Sequence, residues 1–231
     1  MNEYEPFDIW AHPVLPFKMR IETPMELYRA ETMWTKEPET IEWVKSFDPH
    51  DAFFDVGANV GIYSLYAASL FPEMKIVAFE PHPENYIALL RNVALNCFNI
   101  LPLQWAIGNR QGFFHLDIPH EESGKTGAQL TDRPGKCFCT RIDSIPNKGL
   151  LNIKIDIDGQ EIEVIQGMVE TLPRVKSILV EVSSKTKERI SAALLTAGFT
   201  MDNRFNSMTP HSRDRRKKEG IDAENIIFTR S

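Results

Sequence analysis

The stretch Phe53-Phe54-Asp55-Val56-Gly57-Ala58-Asn59-Val60-Gly61-Ile62-Tyr63-Ser64 constrains this chain more than any other. An apolar strand runs into a glycine turn, and a helix follows at once. Gly57 and Gly61 lack Cβ atoms, so the turn can take up backbone conformations closed to other residues, and a ligand can lie against bare main chain at the helix start. Structural turns also use glycine, so the turn alone is a weak signal. Lys75-Ile76-Val77-Ala78-Phe79 then reads as a short buried strand ending at Glu80, 25 residues after Asp55. In a doubly wound sheet an acid at the end of the second strand is placed to accept hydrogen bonds from ribose hydroxyls. Turn, helix and terminal acid together point to a nucleoside-bearing ligand.

Two ligand classes use this geometry: the nicotinamide and flavin dinucleotides, and S-adenosylmethionine. The dinucleotide fingerprint is G-x-G-x-x-G. Here the turn is Gly57-Ala58-Asn59-Val60-Gly61, with Asn59 where a second glycine would admit a pyrophosphate. Asp55 stands just before the first glycine, where its charge would repel a pyrophosphate but suits the amino group of a methionine moiety. The residues favour a methionine-bearing, phosphate-free nucleoside. Two rival readings stand beside it: an NAD-dependent oxidoreductase, and a non-catalytic binding subunit on the same fold.

Four blocks in order resemble the FkbM-type class I methyltransferases over roughly residues 40 to 200. They are Asp55-Val56-Gly57-Ala58-Asn59-Val60-Gly61, then Ala78-Phe79-Glu80-Pro81 with Asn85, then Ala106-Ile107-Gly108, and Lys154-Ile155-Asp156-Ile157-Asp158-Gly159-Gln160-Glu161. The family usually has Glu before the last glycine and Ala after it, where this chain has Asp158 and Gln160. The resemblance implies an α/β, Rossmann-like class I methyltransferase fold, with a mostly parallel seven-stranded sheet, helices on both faces and an inserted hairpin or lid. It implies a single catalytic domain over residues 49–231, with 1–48 as an extension whose helices pack on it. It further implies S-adenosylmethionine as cofactor, with Asp55, Gly57, Asn59 and Gly61 around the methionine portion, Glu80 on the ribose and Ala106 against adenine. The implied acceptor is a small molecule or glycan, methylated on oxygen of a sugar or another small hydroxylated metabolite.

A chain of 231 residues with 42% hydrophobic content suffices for one sizeable core. Its formal charge of -6 argues against a general nucleic-acid binder. Cys97, Cys137 and Cys139 form no disulfide framework, which suggests a reducing compartment, and they read as small buried hydrophobes. Met1-Asn2-Glu3-Tyr4-Glu5-Pro6 shows no secretory signal, and no stretch approaches the ~20 apolar residues that span a bilayer. The expectation is a soluble cytoplasmic protein without a membrane partner.

Thr23-Pro24-Met25-Glu26 predicts a capped helix start, and a second helix is expected from Pro38 to Phe47. From residue 52, strands at 52–56, 75–79 and 100–105 alternate with helices at 61–70 and 83–95, which implies a parallel sheet. Ile87, Leu90, Ala94 and Leu95 form the expected core stripe of the second helix. Strands at 112–117 and 136–140 flank a loop, 119–135, that reads as an inserted hairpin or a mobile lid. Asp158 with Glu161 reads as a capping box, with Ile162, Ile165 and Val169 facing the core. Strand 177–182 follows, then a helix over 185–197 capped by Ser184 and stopped at Gly198. Phe199–Phe205 and Asn225–Thr229 are expected as a closing antiparallel pair.

The strict alternation of Leu151-Asn152-Ile153-Lys154-Ile155-Asp156 puts Asn152, Lys154 and Asp156 on one face of a strand. A central parallel strand is normally apolar on both faces, so Lys154 needs a partner, and Glu181 on the neighbouring strand is the structural candidate. The functional candidates for the reaction are Asp156, Lys154 and Glu181, with Asp156 or Glu181 as base, or Lys154 if burial lowered its pKa. A divalent ion on Asp156, Asp158 and Glu181 is an alternative; the primary reading holds no metal. His82 reads either as a base-stacking group or as a surface histidine. His115 and His120 border the insertion without an assigned role. Arg213-Asp214-Arg215-Arg216-Lys217-Lys218 reads as a solvated loop or as a contact for an anionic acceptor.

Overall fold

The computed structural model describes residues 8–218 and 220–230. The opening residues, read above for a targeting signal, lie outside the described residues. A short hairpin of β1 (Asp8–Ala11) and β2 (Lys18–Ile21) leads into α1 (Pro24–Lys36) and α2 (Pro38–Lys45). The Thr23 side chain accepts the Glu26 amide and Pro24 fills the first turn, so α1 starts where its capping residues dictate.

Next come β3 (Ala52–Val56), α3 (Ile62–Leu70), β4 (Lys75–Phe79), α4 (Pro83–Asn96) and β5 (Ile100–Leu103). The expected strand 100–105 breaks at Gln104. Its continuation, β6 (Trp105–Ile107), joins β7 (Gly112–Asp117), β8 (Gln129–Pro134) and β9 (Cys137–Thr140) in a separate four-stranded sheet. The insertion is thus a small sheet, and β8 occupies much of what the sequence presents as a loop. The chain returns through β10 (Leu151–Ile155), α5 (Glu161–Gln166), β11 (Val175–Val182), α6 (Lys187–Thr196), β12 (Thr200–Met201), α7 (Asn203–Asn206), α8 (Thr209–Lys218) and β13 (Glu224–Thr229).

The main sheet has seven strands in the order β12-β13-β11-β10-β3-β4-β5, parallel from β11 to β5 and antiparallel at β13 and β12. Chain direction across the sheet reverses between β3 and β10, and in such sheets ligands bind beyond the strand ends at that switch point. Strand alternation splits the core. Phe53, Ala78, Leu179 and Ile227 pack with Trp43, Leu65 and Tyr66 of the helices on one face. Phe54, Phe79, Ile153, Val180 and Phe228 pack with Ile162, Ile165, Ile190 and Leu194 on the other. Trp43 of α2 donates from its indole N–H to Ser177, which in turn donates to Asn152, so α2 is pinned to β10 and β11 at one point.

Several expectations are corrected. In α4 the stripe Ile87, Leu90 and Leu95 faces solvent, while Asn85, Ala88, Leu89 and Asn92 are buried. The cause is the arm at β2: Asn92 accepts the Arg20 amide and donates to the Val60 carbonyl, and Asn96 bonds both backbone groups of Lys18. These amides satisfy main chain that would otherwise be unpaired. Val169 lies beyond the end of α5 and is exposed. Asp158 makes no capping box, because its φ of 60° carries it out of the approach to α5 and its carboxylate accepts from Gly127 instead. Ser184 bonds Asp222 and caps nothing; Thr186 occupies the cap of α6. Residues 203–206 are helical, and the closing pair is confined to β12 and β13. Among the cysteines Cys139 is buried, Cys137 half-buried and Cys97 exposed.

Gly57, at φ 83°, has no room for a side chain, since a Cβ there would overlap the Asp156 carbonyl. Gly198, at φ 86° behind α6, has space around it. In urea denaturation, Gly57→Ala is therefore expected to cost about 3 kcal/mol or more, joining left-handed strain to overpacking. Gly198→Ala should cost only about 1 kcal/mol.

Candidate active site

The ends of β3, β4 and β10 bring the expected cofactor residues together. Asp55 is buried, with one carboxyl oxygen accepting from the Ser64 hydroxyl at 2.7 Å and the other buried without a partner. Burial pushes its pKa up against the nearby Lys154. Asn59 has a φ of 52°, which aims its backbone N–H at Glu80 Oε2, 2.7 Å away. His82 donates its own N–H to Glu80 Oε1 at 2.9 Å. The Asn85 side chain also interacts with this carboxylate, so three donors surround Glu80. Asn59 thus acts here through its backbone. The glycines face protein: Gly57 meets the Asp156 carbonyl, and Gly61 meets Leu89. Their role is to let two loops close on each other.

Beside this turn an apolar slot is lined by Val56, Gly57, Phe79, Pro81, Trp105, Ala106, Ile107 and Leu130, with Gln160 as its polar member. Such walls offer the apolar faces a flat purine stacks on, but the slot holds only about 30 Å³, so it must widen to admit one. The orphaned Asp55 oxygen suits an ammonium and the Glu80 carboxylate suits a ribose, so the chemistry of the residues fits S-adenosylmethionine. His82, read as a base-stacking or surface group, is buried instead: its Nδ1 caps α4 and its Nε2 bonds the His120 carbonyl. His115 pairs with Asp117 in the second sheet.

A strap over residues 120–129 crosses the turn. Ser123 bonds Glu26, the Gly124 N–H bonds Asn85, the Lys125 carbonyl accepts from Asn59 and Asn85, and the Gly127 N–H bonds Asp158. The segment expected as a mobile lid is therefore tied at four elements.

On the other side of Asp156 lies a polar cavity of about 430 Å³, bounded by Tyr28, Arg29, Lys36 and Glu37 from the N-terminal helices, by Asp156, Asp158, Glu161 and Glu181 at the strand ends, and by Arg216. Lys154 is 1% exposed and bonds Asp156 Oδ2 at 2.6 Å, with the Tyr63 ring 5.2 Å from its Nζ. It does not pair with Glu181. Burial alone would lower the Lys154 pKa, but Asp156, Asp55 and Glu37 outweigh it and raise it, so Lys154 stays an ammonium and is no base.

Glu181 pairs with Arg216, whose guanidinium also holds Glu37 at 2.9 Å. Glu37 is 1% exposed and accepts from the Tyr63 hydroxyl at 2.9 Å and from Thr40. Burial pushes its carboxyl up, but Lys36 and Arg216 prevail and hold it well below the usual range. At Glu181 burial and the Asp156 charge prevail over Arg216 and raise the pKa to about 8.

Asp156, Lys154 and Glu181 therefore line one region, linked through Arg216, which the sequence reading named only within a charge run, and through Lys36, Glu37 and Tyr63, which it missed; Arg29, also missed, lines the same cavity without an ion pair. The charge run expected in a loop lies in α8, and Arg216 is buried. A legible signal existed, since Thr209, Ser212 and Arg216, all buried, recur at helical spacing. Among the described residues no group of three His, Cys, Asp or Glu side chains is placed to hold a metal ion, and no helix is long and apolar enough to cross a membrane.

Comparison with known proteins bears on family and fold. A family model described as the methyltransferase FkbM domain matches residues 55–209. Methyltransferase sdnD of Sordaria araneosa is 30% identical over 186 residues, covering 63% of this chain and 72% of that protein. Hexuronic acid methyltransferase AglP of Haloferax volcanii is 22% identical over 200 residues, covering 81% of each. A solved putative rRNA-methylase of Clostridium thermocellum superposes with a TM-score of 0.53 at 9% identity, over 83% of this chain and 93% of that one. The fold is the Rossmann-like class I methyltransferase fold.

Burial lifts the Glu80 pKa from 4.5 to about 7, against the pull of the His82 and Asn59 amides. Between those values the folded chain holds a proton that the unfolded chain has released, so stability falls as pH rises across the window and is level above it. The expected fall is on the order of 3 kcal/mol. In Glu80→Gln that component should vanish from ligand-free unfolding curves measured between pH 4.5 and 8.

Proposed function

The chain belongs to the FkbM methyltransferase family, and we propose that it moves a methyl group from S-adenosylmethionine to a hydroxyl oxygen of a sugar or another small hydroxylated metabolite. One observation carries this reading: at the ends of β3 and β10 an apolar slot and a cavity rich in carboxylates both border the segment 156–160. Carboxylates accept hydrogen bonds from hydroxyl groups, and Tyr28 on the cavity wall offers a ring face to the C–H side of a sugar. The Haloferax relative, named for hexuronic acid, supports a sugar acceptor.

In this reading the turn of Asp55, Gly57, Asn59 and Gly61 borders the methionine portion, its glycines shaping the backbone, and the unpartnered Asp55 oxygen receives the ammonium. Glu80 takes the ribose hydroxyls, and Ala106 lies against adenine. The bound cofactor supplies an electrophilic methyl on a sulfonium. The chain's work is to place the acceptor hydroxyl and remove its proton. Glu181 is the base, through the oxygen that Arg216 leaves open. Lys154 is a positioning residue that fixes Asp156, and Asp156 orients the acceptor. Residues 49–231 form the catalytic domain, and the extension 1–48 supplies a wall of the acceptor cavity. Three unpaired cysteines suit a reducing, cytoplasmic setting.

S-adenosylhomocysteine at 100 times its Kd should raise the unfolding free energy by about 2.7 kcal/mol in a thermal shift, and NAD should not. Stabilisation by NAD alone would overturn the donor assignment. Glu80→Ala should weaken S-adenosylhomocysteine by about 1.5–3 kcal/mol in calorimetry.

A base must be ionised to act, so activity limited by Glu181 should rise with pH up to about 8. Glu181→Gln should remove that limb of the kcat/KM profile. An unchanged profile in this variant would assign the proton to another group. Mass spectrometry of sugars and cell extract incubated with a deuterated-methyl donor identifies the acceptor directly.

A further inference from the structure

Four described cations stand in or against the carboxylate-rich cavity, and three are matched by ion pairs. Lys154 pairs with Asp156, Arg216 with Glu37 and Glu181, and Lys36 with Glu37. Arg29 is the exception among the described residues. Its Nε donates to the Gly124 carbonyl at 2.6 Å, while its two terminal amino groups have no hydrogen-bond partner and no carboxylate forms an ion pair with it. It is half-buried and lines the cavity.

The neighbours of Arg29 are committed to carboxylates of the protein, whereas its terminal amino groups are not buried and are open to a ligand in the cavity. Its Nε bond to the strap fixes the plane of the group and leaves the opposite edge as a two-pronged donor, the geometry that a carboxylate accepts with both oxygens. Arg29 also stands between the two compartments. Burial raises the carboxyls of Glu80, beside the slot, and Asp158, beside the cavity, and Arg29 is near enough to draw both back down. The carboxylates around the cavity do not already occupy it: Glu37 and Asp156 have their own cations, and Asp158 and Glu161 accept from the Gly127 and Gly159 amides.

We infer that Arg29 is a carboxylate anchor at the junction of slot and cavity, taking either the carboxylate at the methionine end of the cofactor or that of an acidic sugar acceptor. The inference rests on the methyltransferase reading above and adds to it a residue of α1, which lies ahead of the matched span 55–209.

The test is calorimetric binding to the full chain, in wild type, Arg29→Met and Arg29→Lys. The probes are S-adenosylhomocysteine and D-glucuronate, with 5′-methylthioadenosine and D-glucose as counterparts lacking the carboxylate. Arg29→Met is expected to weaken at least one carboxylate probe tenfold or more and to leave its counterpart unchanged. Arg29→Lys keeps the charge without the fork and should recover part of the loss; it also carries the test if the methionine variant does not fold. A loss confined to S-adenosylhomocysteine assigns the anchor to the cofactor, and a loss confined to glucuronate assigns it to the acceptor. Equal affinities of wild type and both variants for both probes overturn the anchor, as does a wild type that binds neither probe. A wild type that binds glucuronate but not S-adenosylhomocysteine sinks the donor assignment and leaves the glucuronate arm to judge Arg29.

Discussion

A buried ammonium in the middle of a parallel sheet is the constraint on which this structure depends. Lys154 sits on β10 between β3 and β11, where both faces would ordinarily be apolar. Leaving it unpaired would cost several kcal/mol, so its surroundings are committed in advance. Asp156 is taken by the ammonium at 2.6 Å, with Asp55 and Glu37 adding negative charge close by. Glu37 then needs its own donors, which come from Tyr63, Lys36 and Arg216. Arg216 in turn engages Glu181. One charge in a central strand thus recruits the N-terminal helices, the helix after the glycine turn and a helix near the C-terminus. Lys154 has one hydrogen-bonded carboxylate, Asp156, while Glu37 and Arg216 each have more than one partner, so the network is least redundant at the strand itself.

The glycine turn depends on the same strand end. Gly57 lacks a side chain because the Asp156 carbonyl fills the space, and the Asp156 N–H bonds the Val56 carbonyl. The turn beside the apolar slot is therefore in backbone contact with Asp156, which lines the polar cavity. A displacement on either side is felt on the other through main chain, which is stiffer than any side-chain link. Asn59 and Asp158, both at positive φ, sit at the two loops so joined. Backbone conformations of that kind persist where surrounding contacts over-determine them. Here those contacts are the Glu80 carboxylate and the strap.

What the sequence made legible was local. The run from β3 to α4 follows from apolar strand stretches, a glycine turn and a proline-started helix, each read within about ten residues. Glu80 was legible for the same reason, as an acid at a strand end. What was not legible was pairing across long separations. Nothing near Arg216 names Glu37, 179 residues away, as its partner. The apolar stripe of α4 misled because buried asparagines serving the β2 arm outranked it, and that arm's position is not written in the helix. Lys154 demanded a partner on sequence grounds, yet alternation along one strand could not decide between Glu181 across the sheet and Asp156 two residues on.

The division between legible and illegible parts follows the division between the two cavities. The slot is built from β3, β4, β6 and the loop before α5, all inside the matched span 55–209. The cavity assigned to the acceptor takes Tyr28, Arg29, Lys36 and Glu37 from before that span and Arg216 from after it. The family model thus spans the slot and the cavity's strand-end carboxylates Asp156, Asp158, Glu161 and Glu181, while the wall formed by α1, Glu37 and Arg216 lies outside it. That wall is tied into the buried charge network at Glu37, which binds Lys36 of α1 and Arg216 of α8, so its side chains differ in freedom: Lys36 and Arg216 are held by buried pairing, and Tyr28 is held by no buried charge.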